Sequence, residues 1–123
     1  MKKDSYVDSN LRGKWGEALA LDFLVKKKYT AVDTGYRSRF GEIDLIVKDD
    51  EFLVFVEVKL RKNAKFGHAR EYVGKAKQEK LRMTAEMWLS ENETSLQPRF
   101  DVIEIYAPYE PRPPEIIHIE NAF

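Results

Sequence analysis

The sequence predicts an α/β sandwich, a mixed β-sheet with two main helices. Two stretches, residues 9–28 and 72–90, carry apolar residues at helical spacing. Between them, residues 43–47 and 53–60 alternate with period two on either side of an acidic turn. After the second helix, residues 99–106 are apolar on both faces, so strand, helix and strand follow one another from 53 to 106. That succession suits a right-handed crossover between parallel strands. The expected order is α-β-β-β-α-β-β in one domain spanning all 123 residues.

The first helix, 9–28, can be capped by Ser9 or Asn10. Leu11, Trp15, Ala18, Leu19 and Val25 form a stripe at helical spacing, which assigns Trp15 to the core. Glu17 lies at the border of that stripe beside Leu21 and Leu24, and by spacing alone it is a solvated helix charge. Asp22 falls inside the stripe, against the pattern. Lys26, Lys27 and Lys28 close the helix, where cations complement its dipole. Residues 30–37 read as a strand interrupted by Gly35. Arg37 and Arg39 then form a basic loop before Gly41.

The hairpin that follows carries the chemistry. Ile43, Leu45 and Val47 fall on one face of its first strand, with Asp44 and Ile46 on the other. Val54, Val56, Val58 and Leu60 share a face of its second strand, opposite to Leu53, Phe55, Glu57 and Lys59. A turn at Lys48-Asp49-Asp50-Glu51, centred on Asp50-Glu51, sets Ile46 against Phe55, Asp44 against Glu57, and Glu42 against Lys59. Two carboxylates facing each other at about 4 Å repel by on the order of 4 kcal/mol at an effective dielectric near 20. A cation between them removes that cost. Oxygen donors without Cys or a nearby His suit Mg²⁺ or Mn²⁺ rather than Zn²⁺. Asp44 and Glu57 would hold the metal, and Lys59 would orient the attacking water or stabilise phosphate charge. The plainer alternative is a soluble edge hairpin in which Lys59 only pairs with Glu42. Apolar residues on both faces of 53–60 argue for a covered strand, where charges need a reason.

Residues 61–71 are polar and read as a loop, with His68 as a surface residue or phosphate contact rather than a metal ligand. In the second helix Val73, Ala76, Leu81, Ala85, Trp88 and Leu89 form the apolar side. Lys77 projects on that side, either snorkelling or reaching across the sheet toward phosphate. Pro108, Pro111, Pro113 and Pro114 mark an extended loop. Residues 115–119 make a last short strand, with His118 structural.

Composition limits the function classes. There are no cysteines, so disulfide and thiolate chemistry are excluded and a cytoplasmic setting is expected. No apolar run resembles a signal peptide or approaches the about 20 residues of a membrane span. A net charge of zero hides segregation. Residues 41–58 hold one Lys/Arg against six Asp/Glu, whereas residues 59–82 hold nine against two. An acidic centre beside basic segments suits a metal site within a phosphate-binding groove, and also any charged helix surface.

With these elements placed, the chain resembles the PD-(D/E)XK nuclease-like superfamily. Within it, the chain looks like the YraN family, which is similar to archaeal Holliday junction resolvases. The resemblance covers nearly the whole chain. It runs through Gly16-Glu17-Ala18, Arg37 with Gly41-Glu42-Ile43-Asp44-Leu45-Ile46, and Val54-Phe55-Val56-Glu57-Val58-Lys59 with Arg61. It continues through Lys77, Leu81, Ala85 and Leu89 to Arg99-Phe100-Asp101-Val102. Ile43 stands where the superfamily has Pro, and Gly35 where the family usually has Asn.

The resemblance implies a restriction-endonuclease-like α/β sandwich with a mixed sheet of about five strands. It also implies a nuclease constellation of Glu17, Asp44, Glu57 and Lys59, and so makes Glu17 a site residue. The expected activity is Mg²⁺- or Mn²⁺-dependent endonuclease cleavage of branched or structured DNA. Asp44, Glu57, the Val58 carbonyl and Glu17 would bind metal. Arg37, Arg39, Arg61, Lys62 and Lys77 would contact phosphates. The alternative is a non-catalytic nucleic-acid-binding or scaffold protein that keeps the fold. A homodimer is expected, because cutting two strands symmetrically needs two sites.

Overall fold

The computed structural model describes residues 9–61, 73–106 and 113–123, with side chains from residue 13 onward. Its elements are α1 (Ser9–Lys26), β1 (Thr30–Ser38), β2 (Gly41–Lys48), β3 (Phe52–Arg61), α2 (Lys75–Glu91), β4 (Gln97–Tyr106) and β5 (Glu115–Ile119). The five strands lie in the spatial order β1-β2-β3-β4-β5. Only β3 and β4, joined through α2, are parallel; the other pairs are antiparallel. The architecture is therefore α/β, a mixed five-stranded sheet flanked by two helices, consistent with a restriction-endonuclease-like fold.

The core has two layers, one on each face of the sheet. Ala20 and Leu24 of α1 pack with Leu45, Val47, Val54, Val56, Ile103 and Ile105. Leu81, Ala85 and Trp88 of α2 pack with Ile43, Ile46, Leu53, Phe55 and Val102. Alternation along β3 and β4 thus feeds one residue to each helix in turn, which explains why both strands are apolar throughout. The connection between β2 and β3 is tied by Asp49, whose Oδ1 accepts the N–H groups of Glu51 at 2.9 Å and Phe52 at 2.7 Å.

The helix stripe expected for α1 is corrected. Trp15 is 45% exposed, Val25 is 48% exposed, and Ala18 is also on the surface. The buried face is Gly16, Ala20 and Leu24, turned well away from Trp15. A Cβ at Gly16 would lie 3.8 Å from Ile105 and Leu60, so α1 approaches the sheet closely here. Small residues permit this approach; a Trp on that face would hold the helix away. Asp22 now has its place on the outer surface, 3.1 Å from Lys26 one turn later. In α2, Ala76 is exposed, and Thr84 is buried in the apolar face, where its hydroxyl donates to the Lys80 carbonyl at 2.7 Å.

Candidate functional site

The hairpin register is partly as expected. Ile46 faces Phe55, but the β2–β3 ladder runs only from Lys48↔Leu53 to Leu45↔Val56 and stops before Asp44 and Glu57. The expected Glu42–Lys59 pairing is absent: Glu42 lies 4.0 Å from Arg37, and Lys59 lies 3.4 Å from Glu57. Strict alternation also fails at this point. Ile43 and Ile46 both join the α2 side of the core, while Leu45 joins the α1 side. Across the ribbon, the pairs Thr34↔Leu45 and Tyr36↔Ile43 bracket Gly35, whose φ of 63° is left-handed. Gly35 and Asp44 thus lie level with one another where β2 parts from β3, apart from the register shift of this pair between Ala31 and Asp33.

Asp44 fills the opening. Its Oδ2 accepts the Val58 N–H at 2.8 Å, replacing a ladder partner with a carboxylate. Glu17 reaches the same place from α1. Gly13, Gly16, Glu17, Asp44, Glu57, Val58 and Leu60 line one cavity of about 240 Å³. Glu57, at 7% exposure, is among the few buried charges of the described residues. Its Oε2 carries two ammonium groups, Lys77 Nζ of α2 at 3.0 Å and Lys59 Nζ at 3.4 Å.

The electrostatics follow from this geometry. Burial pushes the Asp44 carboxyl up, the charge on Glu57 adds to the rise, and the Val58 N–H opposes it. Glu17 and Glu42 raise it further, and its pKa stands at about 7, against an ordinary 3.8. Glu17 is raised as well, first by burial; its hydrogen bond with Asp44 opposes that, and Glu42 and Glu57 add to it. The cations are unevenly shared. Glu57 has two lysines, whereas Asp44 has no ion pair among the described residues.

Four predicted residues, Glu17, Asp44, Glu57 and Lys59, thus meet at this place, and Lys77 joins them. Arg37 and Arg39 stay outside the cavity: both are exposed, with Arg37 beside Glu42 and Arg39 over the Phe40 ring at 5.0 Å. Arg61 is half-buried at the end of β3, opposite Tyr106 in the β4 register. Lys62 and His68 lie outside the described residues. Among the described residues no three His, Cys, Asp or Glu side chains are spaced as a ready-made metal cage. Asp44 and Glu57 are nevertheless hard oxygen donors flanking one cavity, and ions that retain several waters need few protein ligands.

A second polar cluster escaped the sequence reading. Asp101, fully buried, accepts two bonds from Arg99, at 2.9 and 2.8 Å, and the Asn121 N–H at 2.9 Å. His118 Nε2 lies 2.7 Å from the same carboxylate, and Arg99 also donates to the Tyr29 hydroxyl at 2.6 Å. Arg99 and Asp101 sit two apart on one strand, hence on one face, and that spacing was the available signal. The cluster ties β4 and β5 to the segment between α1 and β1, and every oxygen of Asp101 is used. His118 is structural, as its position in the short strand suggests.

The chain is similar to known proteins along most of its length. A UPF0102 protein of Thermodesulfovibrio yellowstonii is 43% identical over 111 residues, covering 90% of this chain and 94% of the relative. One from Geotalea daltonii is 39% identical over 124 residues, covering 100% and 97%. One from Vibrio parahaemolyticus is 48% identical over 96 residues, covering 76% and 79%. Residues 16–105, from the Gly16-Glu17 pair of α1 to the end of β4, match the uncharacterised protein family UPF0102. With all four clustered side chains inside that span, the chain belongs to the UPF0102, or YraN, family.

Proposed function

We propose that this protein is a metal-dependent endonuclease that hydrolyses phosphodiester bonds in branched or structured DNA, with the resemblance to the PD-(D/E)XK nucleases and archaeal junction resolvases as its frame. The observation that carries the reading is Asp44: a carboxylate placed where β2 leaves β3, between Glu17 and Glu57 and without an ion pair among the described residues, its pKa raised to about 7. A raised, desolvated carboxylate in a cavity is a candidate for a functional site. Asp44, Glu57 and the Val58 carbonyl would hold Mg²⁺ or Mn²⁺, with Glu17 beside them. When bound, such an ion supplies Lewis-acid stabilisation of developing phosphate charge. Lys59, held at 3.4 Å from Glu57, stays at the cavity as a cation for a water or phosphate oxygen. Arg37, Arg39, Arg61, Lys62 and Lys77 are the proposed phosphate contacts. A single Asp44–Glu57 site in each chain makes a homodimer the natural unit for paired cuts.

The test is cleavage of duplex, flap and four-way junction DNA with and without Mn²⁺ or Mg²⁺, using wild type, Glu57→Gln and Lys59→Ala. Metal-dependent cleavage by wild type, abolished in both variants while DNA binding survives, is the expected result. Wild-type activity in Glu57→Gln would sink the assignment. A second reading, a nucleic-acid-binding or scaffold protein without catalysis, has its own observation: Lys59 and Lys77 already neutralise Glu57 without a metal. It predicts no cleavage of any of the three DNAs and no stabilisation by millimolar Mn²⁺.

A further inference from the structure

We propose that Lys77 is an exchangeable counter-ion of the cavity, and that its release from Glu57 couples cation binding to polyanion binding. This inference rests on the reading of the cavity as a metal-dependent phosphodiesterase site.

The two lysines on Glu57 Oε2 are not equivalent. Lys59 belongs to the same strand, two residues on, and its side chain is 24% exposed. Lys77 comes from α2 and is 48% exposed, so it can turn into solvent without moving the sheet. It lies near the start of α2, which has no acidic residue in its first turn and carries Lys75 as well. A helix N-terminus repels cations. Glu57 holds Lys77 in this unfavourable place, at 3.0 Å.

Lys77 and a divalent cation compete for the same oxygen, and they also repel each other. With both lysines in place and all three carboxylates ionised, Glu17, Asp44 and Glu57 leave the cavity one negative charge in excess. A divalent cation added to that set overshoots to net positive, and withdrawing Lys77 restores neutrality. The freed ammonium is then available to a phosphate. Conversely, a phosphate that draws Lys77 away uncovers Glu57. Each ligand thereby favours the other by the same factor, as linkage requires.

The experiment measures Mn²⁺ binding by loss of the free-ion EPR signal, with and without a phosphorothioate duplex that resists hydrolysis. Wild type, Lys77→Gln, Lys77→Arg and Lys80→Gln are compared, with urea midpoints to confirm folding. Lys80 is an exposed lysine on the same helix, so its variant carries the same charge change without the Glu57 contact. DNA should tighten Mn²⁺ binding to wild type by about fivefold or more, within the usual range of coupling between sites. Lys77→Gln should bind Mn²⁺ more tightly without DNA, and its coupling factor should fall toward one. Lys77→Arg and Lys80→Gln should keep the coupling. If Lys77→Gln binds Mn²⁺ no tighter than wild type and retains the coupling, the proposal is overturned while the nuclease reading stands. If wild type binds no Mn²⁺ in either condition, both fall.

Discussion

Asp44→Asn tests the site through stability alone. A carboxyl moved from 3.8 to about 7 on folding holds its proton in the native state while the unfolded chain has released it. Between pH 4 and 7 the folded protein therefore binds more protons, and its stability falls as pH rises. Above about pH 7 the curve flattens with respect to this group. At about 1.4 kcal/mol for each tenfold change in proton affinity, the full effect is on the order of 4 kcal/mol, and solvent at the open cavity lowers it to about 2–3 kcal/mol. Asn removes the titration but keeps an oxygen for the Val58 N–H, so the backbone contact survives. Glu17, also raised, pulls in the same direction. Asp49 and Asp101, both lowered, stabilise above the ordinary carboxylate range and lose that stabilisation in acid. Subtracting the variant's curve from wild type cancels Asp49 and Asp101 and leaves Asp44 together with its coupling to Glu17. Urea unfolding in EDTA at pH 4 and pH 8 should show wild type losing about 2–3 kcal/mol relative to Asp44→Asn. Saturating Mn²⁺ at pH 8 should then stabilise wild type and leave the variant unmoved. Parallel pH curves for the two proteins would refute the electrostatic account of the cavity.

Two further outcomes follow from burial. Trp15→Ser should change stability by under about 1 kcal/mol, since the ring is 45% exposed; a loss of 3 kcal/mol or more in urea unfolding, as for a core aromatic, would return Trp15 to the core. Asp101→Ala should cost about 3–5 kcal/mol, because it strands buried Arg99 without its carboxylate. Arg99→Met/Asp101→Leu should recover part of that loss, and a midpoint for Asp101→Ala equal to wild type would show the cluster to be dispensable.

Local chemistry was legible in the chain itself. Period-two runs, a turn-forming Asp49 and the strand-helix-strand succession gave the element order and the layer arrangement, because side-chain direction along a strand or helix is set by backbone geometry. The carboxylates on an otherwise apolar strand marked the site for the same reason: a buried charge is costly wherever it occurs. Three things depended on tertiary packing. The first is which of two apolar stripes α1 buries. Trp15 and Val25 outweigh Gly16 and Ala20 in bulk, yet close approach to β3 and β4 selects the small residues, with Leu19 of the expected stripe packed at the edge of the core. The second is where the hairpin opens: Gly35 already interrupts the first strand in the sequence, but no periodicity announces that the β2–β3 ladder ends at Leu45↔Val56. The third is the company each charge keeps. Glu57 receives Lys59 from its own strand and Lys77 from α2, while Asp44 faces Glu17 from α1. Ion pairing and desolvation depend on distances between segments far apart in the chain, and those distances exist only once the helices have docked on the sheet.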